Sequence, residues 1–331
     1  MTFTDPVVIN GCAPTRLRLH EALDLWTAGG VAGTNLTVAN QENFTESVRW
    51  AMRCMRTIEN HPTARVVRSV AEIESAHTDG VAGVILGTQN GDPIEGDVTL
   101  LEALHTLGFR IFQPAYQRRN LLANGSGEEN DGGLSRLGRE VVHAANQLGL
   151  LIDLSHVAYR STMDTIELSE DPVSFTHVNL HSVNPIPRNK REDQIRAVAE
   201  NGGVVGVNAV SRLMLPDGLP NGSTVDDFIE QIEGIVDLVG IDHVGIGLDV
   251  FEAMTEDDLA VRKMTFLRAF PELADDPTAL TLENYYTKGL SSGSMIRSLG
   301  DPLRQRGYSD GAISKVLGGN FLRLFSDVWS D

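Results

Sequence analysis

Two histidines at matching positions offer the clearest chemistry in this sequence. His156 ends the apolar run 150–156, and His177 ends the run 172–177. Both runs are typical of strands that are covered on both faces, and a segment of helical length separates them. The carboxyl ends of neighbouring parallel strands meet at one edge, so we expect the two imidazoles to lie together. Neutral imidazole is the commonest nitrogen ligand of metals, and the pair therefore predicts a metal site, although either histidine alone would fit a core residue bonded to a backbone carbonyl.

The elements that must position these histidines alternate along the chain. Apolar, β-branched runs are separated by amphipathic stretches of helical length, a pattern that favours a (β/α)8 TIM barrel over a doubly wound sheet. The eight runs are 7–10, 33–38, 83–89, 109–116, 150–156, 173–178, 203–209 and 243–249. A ninth run, 64–69, is interpreted as an extra strand or turn.

The predicted helices fill the intervals between these runs. They cover 18–28, 43–59, 97–107, 134–148, 159–169, 191–201, 224–239 and 310–327. The polar stretches 124–133 and 214–222 are interpreted as loops at the barrel mouth, and the region 251–300 as a helical excursion after the last strand. No linker or shift in composition divides the chain, so we expect one domain over residues 1–331.

Composition excludes several classes of partner. The 331 residues carry a formal net charge of −18 at pH 7, which repels nucleic acid and anionic membranes. An apolar content of 41% is typical of a globular protein with a sizeable core. Two cysteines, no visible secretory leader and no apolar run long enough to span a bilayer predict a cytoplasmic protein. The sequence leaves homodimer formation open.

Further polar residues stand at the same ends of other strands. Cys12 follows the first run, Gln89 ends the third, Tyr116 ends the fourth and Asp249 ends the last. A buried polar group without a partner is costly, so we expect this cluster to bond to itself, to a ligand or to water.

Asp249 and Cys12 each have a chemical and a structural interpretation. Asp249 suits a general base or a metal ligand, and the glycines of the preceding segment 244–248 would let a ligand approach the backbone. A helix N-cap just past the strand is an equally good interpretation of Asp249. Cys12 could act as a thiolate ligand or as a nucleophile, although a small buried apolar residue is the more common role.

The loop after His177 carries a candidate substrate anchor. Arg188 lies in Pro185-Ile186-Pro187-Arg188-Asn189-Lys190, where the prolines limit its motion. A rigid guanidinium suits bidentate capture of a carboxylate, and Asn179 could contact the same substrate. The alternatives are a surface arginine and a turn residue. Asp153 lies three residues before His156 and is expected to face away from the site in a structural role.

These residues and several motifs resemble the membrane (renal) dipeptidase family, which comprises metal-dependent barrels of the amidohydrolase type. The resemblance extends from about residue 7 to about residue 325. The motifs are Leu154-Ser155-His156-Val157, Phe175-Thr176-His177, Pro187-Arg188-Asn189, Val244-Gly245-Ile246-Gly247-Leu248-Asp249, Asp131-Gly132-Gly133-Leu134 and Gly138-Arg139-Glu140-Val141-Val142.

The resemblance implies a two-zinc site and the hydrolysis of short peptides, often with a D-residue on the C-terminal side. By position, it implies that His156 and His177 hold one metal ion. It also implies that Arg188 binds the substrate carboxylate and that Asp249 carries a proton near the scissile amide.

Three segments depart from the family pattern. The first strand of the family ends in a His-x-Asp pair that holds the other metal, and here Cys12 and Pro14 take those places. The bridging glutamate of the family falls at Gln89, and its substrate-side histidine falls at Tyr116.

These departures change the expected number of metal ions. Two dications about 3.5–4 Å apart repel by on the order of 20 kcal/mol at an effective dielectric near 20, which a bridging carboxylate and hydroxide normally offset. We therefore expect one zinc ion rather than two. His156 and His177 would hold it together with Gln89, Asp249 or Cys12, and a site without metal is the remaining alternative.

Three functions are compatible with this site, in order of preference. The first is a dipeptidase-like, metal-dependent hydrolase that cleaves a small amide or dipeptide with a free carboxylate. The second is an enzyme of the same fold with different chemistry on a non-peptide metabolite, in which Cys12 and Tyr116 are catalytic. The third is a catalytically silent barrel that binds a small ligand.

Overall fold

Within the part of the chain that the structure describes, nine parallel strands form the centre of the molecule. The computed structural model describes residues 5–216, 222–269 and 280–329. The strands are β1 (Val8–Ala13), β2 (Val31–Ala39), β3 (Ala64–Val66), β4 (Ala82–Thr88), β5 (Phe109–Phe112), β6 (Leu151–Ile152), β7 (Ser174–Val178), β8 (Val204–Val207) and β9 (Val244–Ile246). The eight predicted runs and the extra run each overlap one of these strands.

Pairing of the strands gives the curved sheet of an α/β barrel. One sheet has the order β1-β2-β4-β5-β6 and the other has the order β7-β8-β9, and β3 pairs in parallel with the start of β4. An isolated parallel bridge between Asp153 and Ser174 continues the first sheet into the second. The Asp249 N–H donates to the Cys12 carbonyl oxygen at 3.1 Å, which joins the last strand to the first. The predicted barrel topology is confirmed.

Helices cover the outside of these strands. They are α1 (Leu19–Ala28), α2 (Phe44–Glu59), α3 (Val70–Asp79), α4 (Thr99–Thr106), α5 (Arg136–Leu148), α6 (Tyr159–Leu168), α7 (Glu192–Glu200), α8 (Ser211–Met214), α9 (Val225–Val239), α10 (Glu256–Ala269), α11 (Leu282–Tyr285), α12 (Gly300–Gln305), α13 (Asp310–Ser314) and α14 (Asn320–Val328). The predicted helices are confirmed within a few residues, except that 310–327 contains a π-helical turn between α13 and α14.

Helix α3 was not predicted, although the sequence carries signals for both of its ends. The Ser69 side chain accepts a hydrogen bond from the Glu72 N–H, which caps the first turn. Gly80 ends the helix in the left-handed conformation at φ 67°. The short β3 leads directly into this helix, so the two elements share one segment that the strand pattern alone does not resolve.

The loop predictions lie partly outside the described residues. Residues 124–133 form no regular element, and an antiparallel bridge from Gly125 to Val157 ties this loop to the site. Of the predicted loop 214–222, residues 217–221 lie outside the described residues. The described parts of 251–300 are largely helical, as predicted, and 270–279 lies outside them.

Strands β6 and β9 end earlier than predicted. Past their ends, side-chain oxygens rather than a neighbouring strand accept hydrogen bonds from backbone N–H groups. The Asp153 Oδ1 atom accepts hydrogen bonds from the backbone N–H groups of Ser155 at 3.0 Å and Thr176 at 3.1 Å. The Asn10 Oδ1 atom accepts from the Leu248 N–H at 3.0 Å. The chain therefore leaves the sheet before it reaches the candidate site residues, which stand on short irregular segments at the barrel mouth.

Phe321 of α14 packs against the strands beneath the site. A Cβ on Gly245 would lie 2.5 Å from its ring, and a Cβ on Gly247 would lie 1.7 Å from the Thr176 carbonyl oxygen. Protein atoms fill the space beside these two glycines, so the expectation that a ligand approaches the backbone there is wrong.

Candidate active site

His156 and His177 meet at the barrel mouth, as predicted. Their Nε2 atoms lie 3.0 Å apart, and 3% of His156 and none of His177 is exposed. Burial lowers the pKa of each imidazole well below its usual value, and the charge of Arg188 lowers it further. Both rings are therefore neutral at pH 7 and can offer a lone pair to a metal ion.

A hydrogen-bonded chain behind His177 fixes which of its nitrogens carries the proton. The Thr176 Oγ1 atom lies 2.7 Å from the Asp153 Oδ2 atom and 2.7 Å from the His177 Nδ1 atom. A carboxylate only accepts, so the single hydroxyl proton is donated to Asp153. The hydroxyl oxygen must then accept from the His177 Nδ1–H, and the Nε2 lone pair points into the site.

Asp153 therefore supports the site from behind rather than lining it. The structural role agrees with the prediction, but the expected orientation is wrong, because the Asp153 Oδ2 atom lies 3.8 Å from the His177 Nδ1 atom. Its support of His177 is a role that the sequence reasoning missed. Thr176 was also missed, although both residues lie within the motifs that contain the two histidines. The sequence does carry a signal for this role. An acidic residue stands three positions before a strand-end histidine, and a hydroxyl residue stands on the following strand.

The His156 Nε2 atom faces His177 and the guanidinium of Arg188. It lies 3.0 Å from the His177 Nε2 atom and 3.4 Å from the Arg188 Nη2 atom. The His156 Nδ1 atom is buried without a hydrogen-bond partner among the described residues. The 3.0 Å contact is a hydrogen bond when His156 carries its proton on Nε2, and both Nε2 atoms offer lone pairs to a cation when that proton moves to Nδ1.

Gln89 and Cys12 complete the group beneath the histidines. The Gln89 Nε2 atom lies 3.2 Å from the His177 Nε2 atom and 3.0 Å from the Cys12 Sγ atom. Burial raises the pKa of the Cys12 thiol well above its usual value, and the charge of Asp249 raises it further. The thiol is protonated and donates to the Asp249 Oδ1 atom at 3.6 Å.

Asp249 is held at the mouth in a strained backbone conformation. Its φ is 57°, which is uncommon for a residue other than glycine and occurs at functional sites. The Asn208 Nδ2 atom donates to its Oδ2 atom at 3.2 Å. Helix α10 begins only at Glu256 and is capped by Thr255, so the interpretation of Asp249 as a helix N-cap is wrong.

Arg188 is buried beneath the cavity with 1% of its surface exposed, so the alternative of a surface arginine is wrong. Its Nη1 atom donates to the Ser155 carbonyl oxygen at 2.7 Å, and its Nη2 atom donates to the His177 carbonyl oxygen at 2.9 Å. Burial lowers its pKa, and the negative charge of Asp249 opposes this shift. The guanidinium remains charged because its ordinary pKa lies above 12.

Lys190 is a second buried cation that the sequence reasoning missed. Its Nζ atom donates to the Val157 carbonyl oxygen at 2.6 Å and lies 5.0 Å from the centre of the Phe175 ring. Burial lowers its pKa well below its usual value, with a further contribution from the charge of Arg188. The Pro-rich loop thus brings two basic side chains beneath the histidines, one of which reaches the cavity.

An open cavity of about 350 Å³ lies above this group. Five of the predicted site residues line its floor: Gln89, Tyr116, His156, Arg188 and Asp249. Arg16, Glu42 and Tyr285 are among the residues around its rim. The volume is suited to a small substrate.

Three predicted residues have different relations to this cavity. The Tyr116 ring packs against His156, with centroids 4.1 Å apart and planes 32° apart. Cys12 is fully buried and lies below the lining residues. Asn179 is 1% exposed and is not among the described residues that line the cavity, so the structure does not bring it to the position of a substrate contact.

The described residues bring together a donor set for a metal ion. Ligand atoms of Cys12, His177 and Asp249 lie within 4.8 Å of one another, and His156 adjoins them. Nitrogen, sulfur and carboxylate oxygen are zinc-class ligands. Pro14 also lines the cavity, and its side chain offers no ligand.

Comparison with known proteins places this chain in a family. The model of the membrane dipeptidase family (Peptidase family M19) matches residues 27–264. A Klebsiella pneumoniae protein described as an uncharacterized protein in the pqqA 5′ region is 28% identical over 272 residues, which cover 80% of this chain and 89% of that protein. An uncharacterized dipeptidase of Schizosaccharomyces pombe, C965.12, is 30% identical over 181 residues, which cover 54% of this chain and only 43% of that protein.

Solved structures extend the similarity to the whole fold. An amidohydrolase from Pseudomonas aeruginosa has a TM-score of 0.88 and 29% identity, with 99% of this chain and 98% of that chain covered. A metallo peptidase from Rhodobacter sphaeroides, liganded with a phosphinate mimic of the dipeptide L-Ala-D-Ala, shares the fold at a TM-score of 0.81 and 22% identity, with 98% and 100% covered.

A search for membrane-crossing helices among the described residues finds none that is both long and apolar enough. The family match covers well over half of the chain and agrees with the barrel topology and with the grouping of histidines at its mouth. This chain therefore belongs to the membrane dipeptidase family, Peptidase family M19, a family of metal-dependent hydrolases.

Proposed function

We propose that this protein is a one-metal hydrolase that cleaves a dipeptide or a similar small amide with a free carboxylate. The observation that carries the proposal is the pair of imidazole Nε2 atoms 3.0 Å apart at the floor of the cavity. A cation that binds both nitrogens would replace the hydrogen bond between them and displace its proton. Neutral imidazoles with depressed pKa values are already in the form that a metal requires.

His156 and His177 are the proposed protein ligands of one zinc ion. Cys12, Gln89 and Asp249 are the candidates for the remaining position, and Gln89 would offer its carbonyl oxygen if its amide group turned over. A zinc ion bound there would acidify a water molecule and polarise the substrate carbonyl.

Arg188 is the proposed anchor for the substrate carboxylate. It is a buried cation at the cavity floor, and it has no direct ion pair among the described residues. Backbone carbonyls hold two of its nitrogens in place, so little side-chain entropy is lost when a carboxylate binds. A planar guanidinium can hold a carboxylate through two parallel hydrogen bonds.

Asp249 is the proposed proton carrier. It lines the cavity, and the Asn208 amide orients its carboxylate. In this role its Oδ atoms accept a proton from the attacking water and return it to the leaving amine. Tyr116 lines the cavity and packs against His156, and in the proposed reaction its hydroxyl would donate to the developing oxyanion.

A small panel of L,L- and L,D-dipeptides tests the proposal directly. The choice is guided by the Rhodobacter sphaeroides relative, which was crystallised with a mimic of L-Ala-D-Ala. We expect hydrolysis that a chelator abolishes and that added zinc restores. The double variant His156→Ala/His177→Ala should lose activity by on the order of 10³-fold or more. Activity retained in that variant would rule out the proposed site.

The alternative of a thiol enzyme is less well supported. The Cys12 thiol is fully buried, lies below the cavity lining and has a raised pKa, whereas a nucleophilic cysteine needs an exposed thiolate. If Cys12→Ser abolished turnover without changing the zinc content, this alternative would replace the proposal. Measurable turnover of any dipeptide would exclude a catalytically silent barrel.

A further inference from the structure

Three metal-ligating side chains converge on the outside of the barrel, apart from the candidate active site. His20 and Asp24 lie four residues apart on α1, so they share one face of that helix. His61 follows the end of α2 by two residues. Their nearest ligand atoms all lie within 4.8 Å of one another. We call these three residues the α1 cluster.

His61 and Asp24 already form half of a binding site. The His61 Nε2 atom lies 3.2 Å from the Asp24 Oδ1 atom, and only 2% of the His61 side chain is exposed. The His61 backbone N–H donates to the Ile58 carbonyl oxygen at 3.0 Å, which fixes the turn after α2. On the other side of the ring, the Nδ1 atom lies 3.4 Å from the Thr63 backbone nitrogen and 3.4 Å from the Thr63 hydroxyl. A backbone N–H only donates, so in the metal-free chain Nδ1 accepts and the Nε2–H donates to Asp24. A cation at Nε2 would displace that proton, and an Nδ1–H would then have the Thr63 hydroxyl as its partner.

His20 supplies the third ligand from the solvent side. Its Nδ1 atom lies 3.9 Å from the Asp24 Oδ2 atom, and its ring meets that of His61 edge-on at 5.1 Å. Ligand atoms around a tetrahedral zinc ion lie about 3.3 Å apart. The His61–Asp24 distance already matches that value. The His20 side chain is 71% exposed, so a small rotation brings it into range at little cost.

We propose that the α1 cluster binds one divalent cation of the zinc class. Two imidazoles and one carboxylate are a donor set that zinc, cobalt and nickel accept, and the exposed side leaves room for water as a further ligand. The bound ion would clip α1 to the end of α2. Because Arg16 and Leu17 lie just before α1 and line the cavity, the clip also restrains one part of the cavity rim.

The proposal does not depend on the barrel site, but it changes how zinc must be counted. A chain with one ion in the barrel and one in the α1 cluster would bind two equivalents. A barrel site with two zinc ions and an α1 cluster without metal would give the same total. Variants in the α1 cluster separate these cases, since none of its residues lines the cavity.

The test measures zinc per chain on untagged protein. Wild type, His20→Ala, Asp24→Asn and His143→Ala are dialysed against about 50 μM zinc and analysed for metal. His143 is the matched control, because it is an exposed histidine on α5 outside both groups of candidate ligands. We expect wild type and His143→Ala to hold one equivalent more than His20→Ala and Asp24→Asn.

Thermal unfolding gives an independent measure of the same site. Zinc should raise the midpoint of wild type by roughly 2–4 °C more than that of His20→Ala, as expected for a ligand that binds only the folded chain. Equal zinc content and equal midpoint shifts in wild type and His20→Ala would overturn the proposal. The same comparison in the His156→Ala/His177→Ala background should again differ by one equivalent, whatever happens to activity.

Discussion

The two halves of the barrel mouth differ in how completely their polar groups are arranged for a metal ion. On the β6–β7 side, Asp153, Thr176 and His177 form a continuous hydrogen-bonded chain that leaves one lone pair pointing inward. On the β1–β4 side, Cys12 and Gln89 place a neutral thiol and a neutral amide at the same depth. The first half combines a ligand with its supporting groups, whereas Cys12 and Gln89 on the second half carry no charge.

If the barrel holds the single ion that we propose, the two sides of its mouth make separable contributions. The orientation of the His177 ring is fixed by its own strand and by the preceding one, through Asp153 and Thr176. The β1–β4 side contacts that ring only at the Nε2 atom, where Gln89 lies 3.2 Å away. We therefore assign the metal and the substrate to the two histidines together with Arg188 and Asp249.

Removal of the bidentate anchor is expected to have the largest effect in this comparison. Arg188→Lys keeps the charge but loses the planar pair of donors, so kcat/KM for a dipeptide should fall by about 100-fold, mostly through KM. Steady-state kinetics measure this loss. As a control, a dipeptide amide lacks the carboxylate and should be hydrolysed equally slowly by both enzymes. An equal loss with both substrates would show that Arg188 does not bind the carboxylate.

The hydrogen-bonded chain behind His177 can be broken by a substitution of similar shape. Thr176→Val removes the hydroxyl that orients the imidazole, and zinc affinity should fall by about tenfold or more. The free energy of unfolding should also fall by about 1–3 kcal/mol, because Asp153 loses a buried donor. Thr176→Ser keeps the hydroxyl and serves as the control. If serine and valine weakened zinc binding equally, the chain would not be what positions His177.

Acid should destabilise the metal-free protein through the same two histidines. Burial depresses the pKa of His156 and His177 in the folded chain, so below about pH 6.5 the unfolded chain binds protons that the folded chain does not. The stability is present above that pH and is lost as the pH falls, by about 1.4 kcal/mol per pH unit for each histidine. Urea unfolding at several pH values measures this slope.

His177→Gln removes one of the two titrating groups. It should therefore reduce the slope of stability against pH between about pH 6.5 and 5.5 by the share of one histidine. Other histidines contribute equally to both proteins, so the difference isolates His177. Identical slopes would contradict the assignment of a depressed pKa to this residue.

The smallest expected effect is on the β1–β4 side. Gln89→Glu supplies the missing carboxylate, but Pro14 still offers no ligand, so the barrel should continue to hold one zinc ion. Metal analysis in the His20→Ala background measures this number, and Gln89→Met is the control without a side-chain carbonyl. If the barrel of Gln89→Glu bound a second zinc ion, the residue at position 89 alone would decide whether the β1–β4 side binds metal.

The barrel itself could be predicted from sequence because its signals are local. Apolar runs such as 203–209 are separated by capped helices such as α9, and each run overlaps a strand. The convergence of His156 and His177 followed from the same pattern, since strand ends must meet in a parallel barrel. Helix α3 was missed because its capping signals stand directly after a strand-like run.

The finer parts of the site depend on contacts between distant segments. That Arg188 is buried, that Gln89 lies between Cys12 and His177, and that Phe321 occupies the space beside Gly245 are consequences of packing across the barrel. No local pattern encodes such distances. The α1 cluster was missed for the same reason, because His61 is 37 residues from Asp24.

The number of zinc ions in the barrel tests the central claim most directly. It is measured by elemental analysis of untagged His20→Ala protein after dialysis against zinc, so that the α1 cluster does not contribute. We predict one equivalent per chain, and none when His156→Ala/His177→Ala is added. Two equivalents, or none before the histidines are removed, would contradict the account of a hydrolase with a single metal ion.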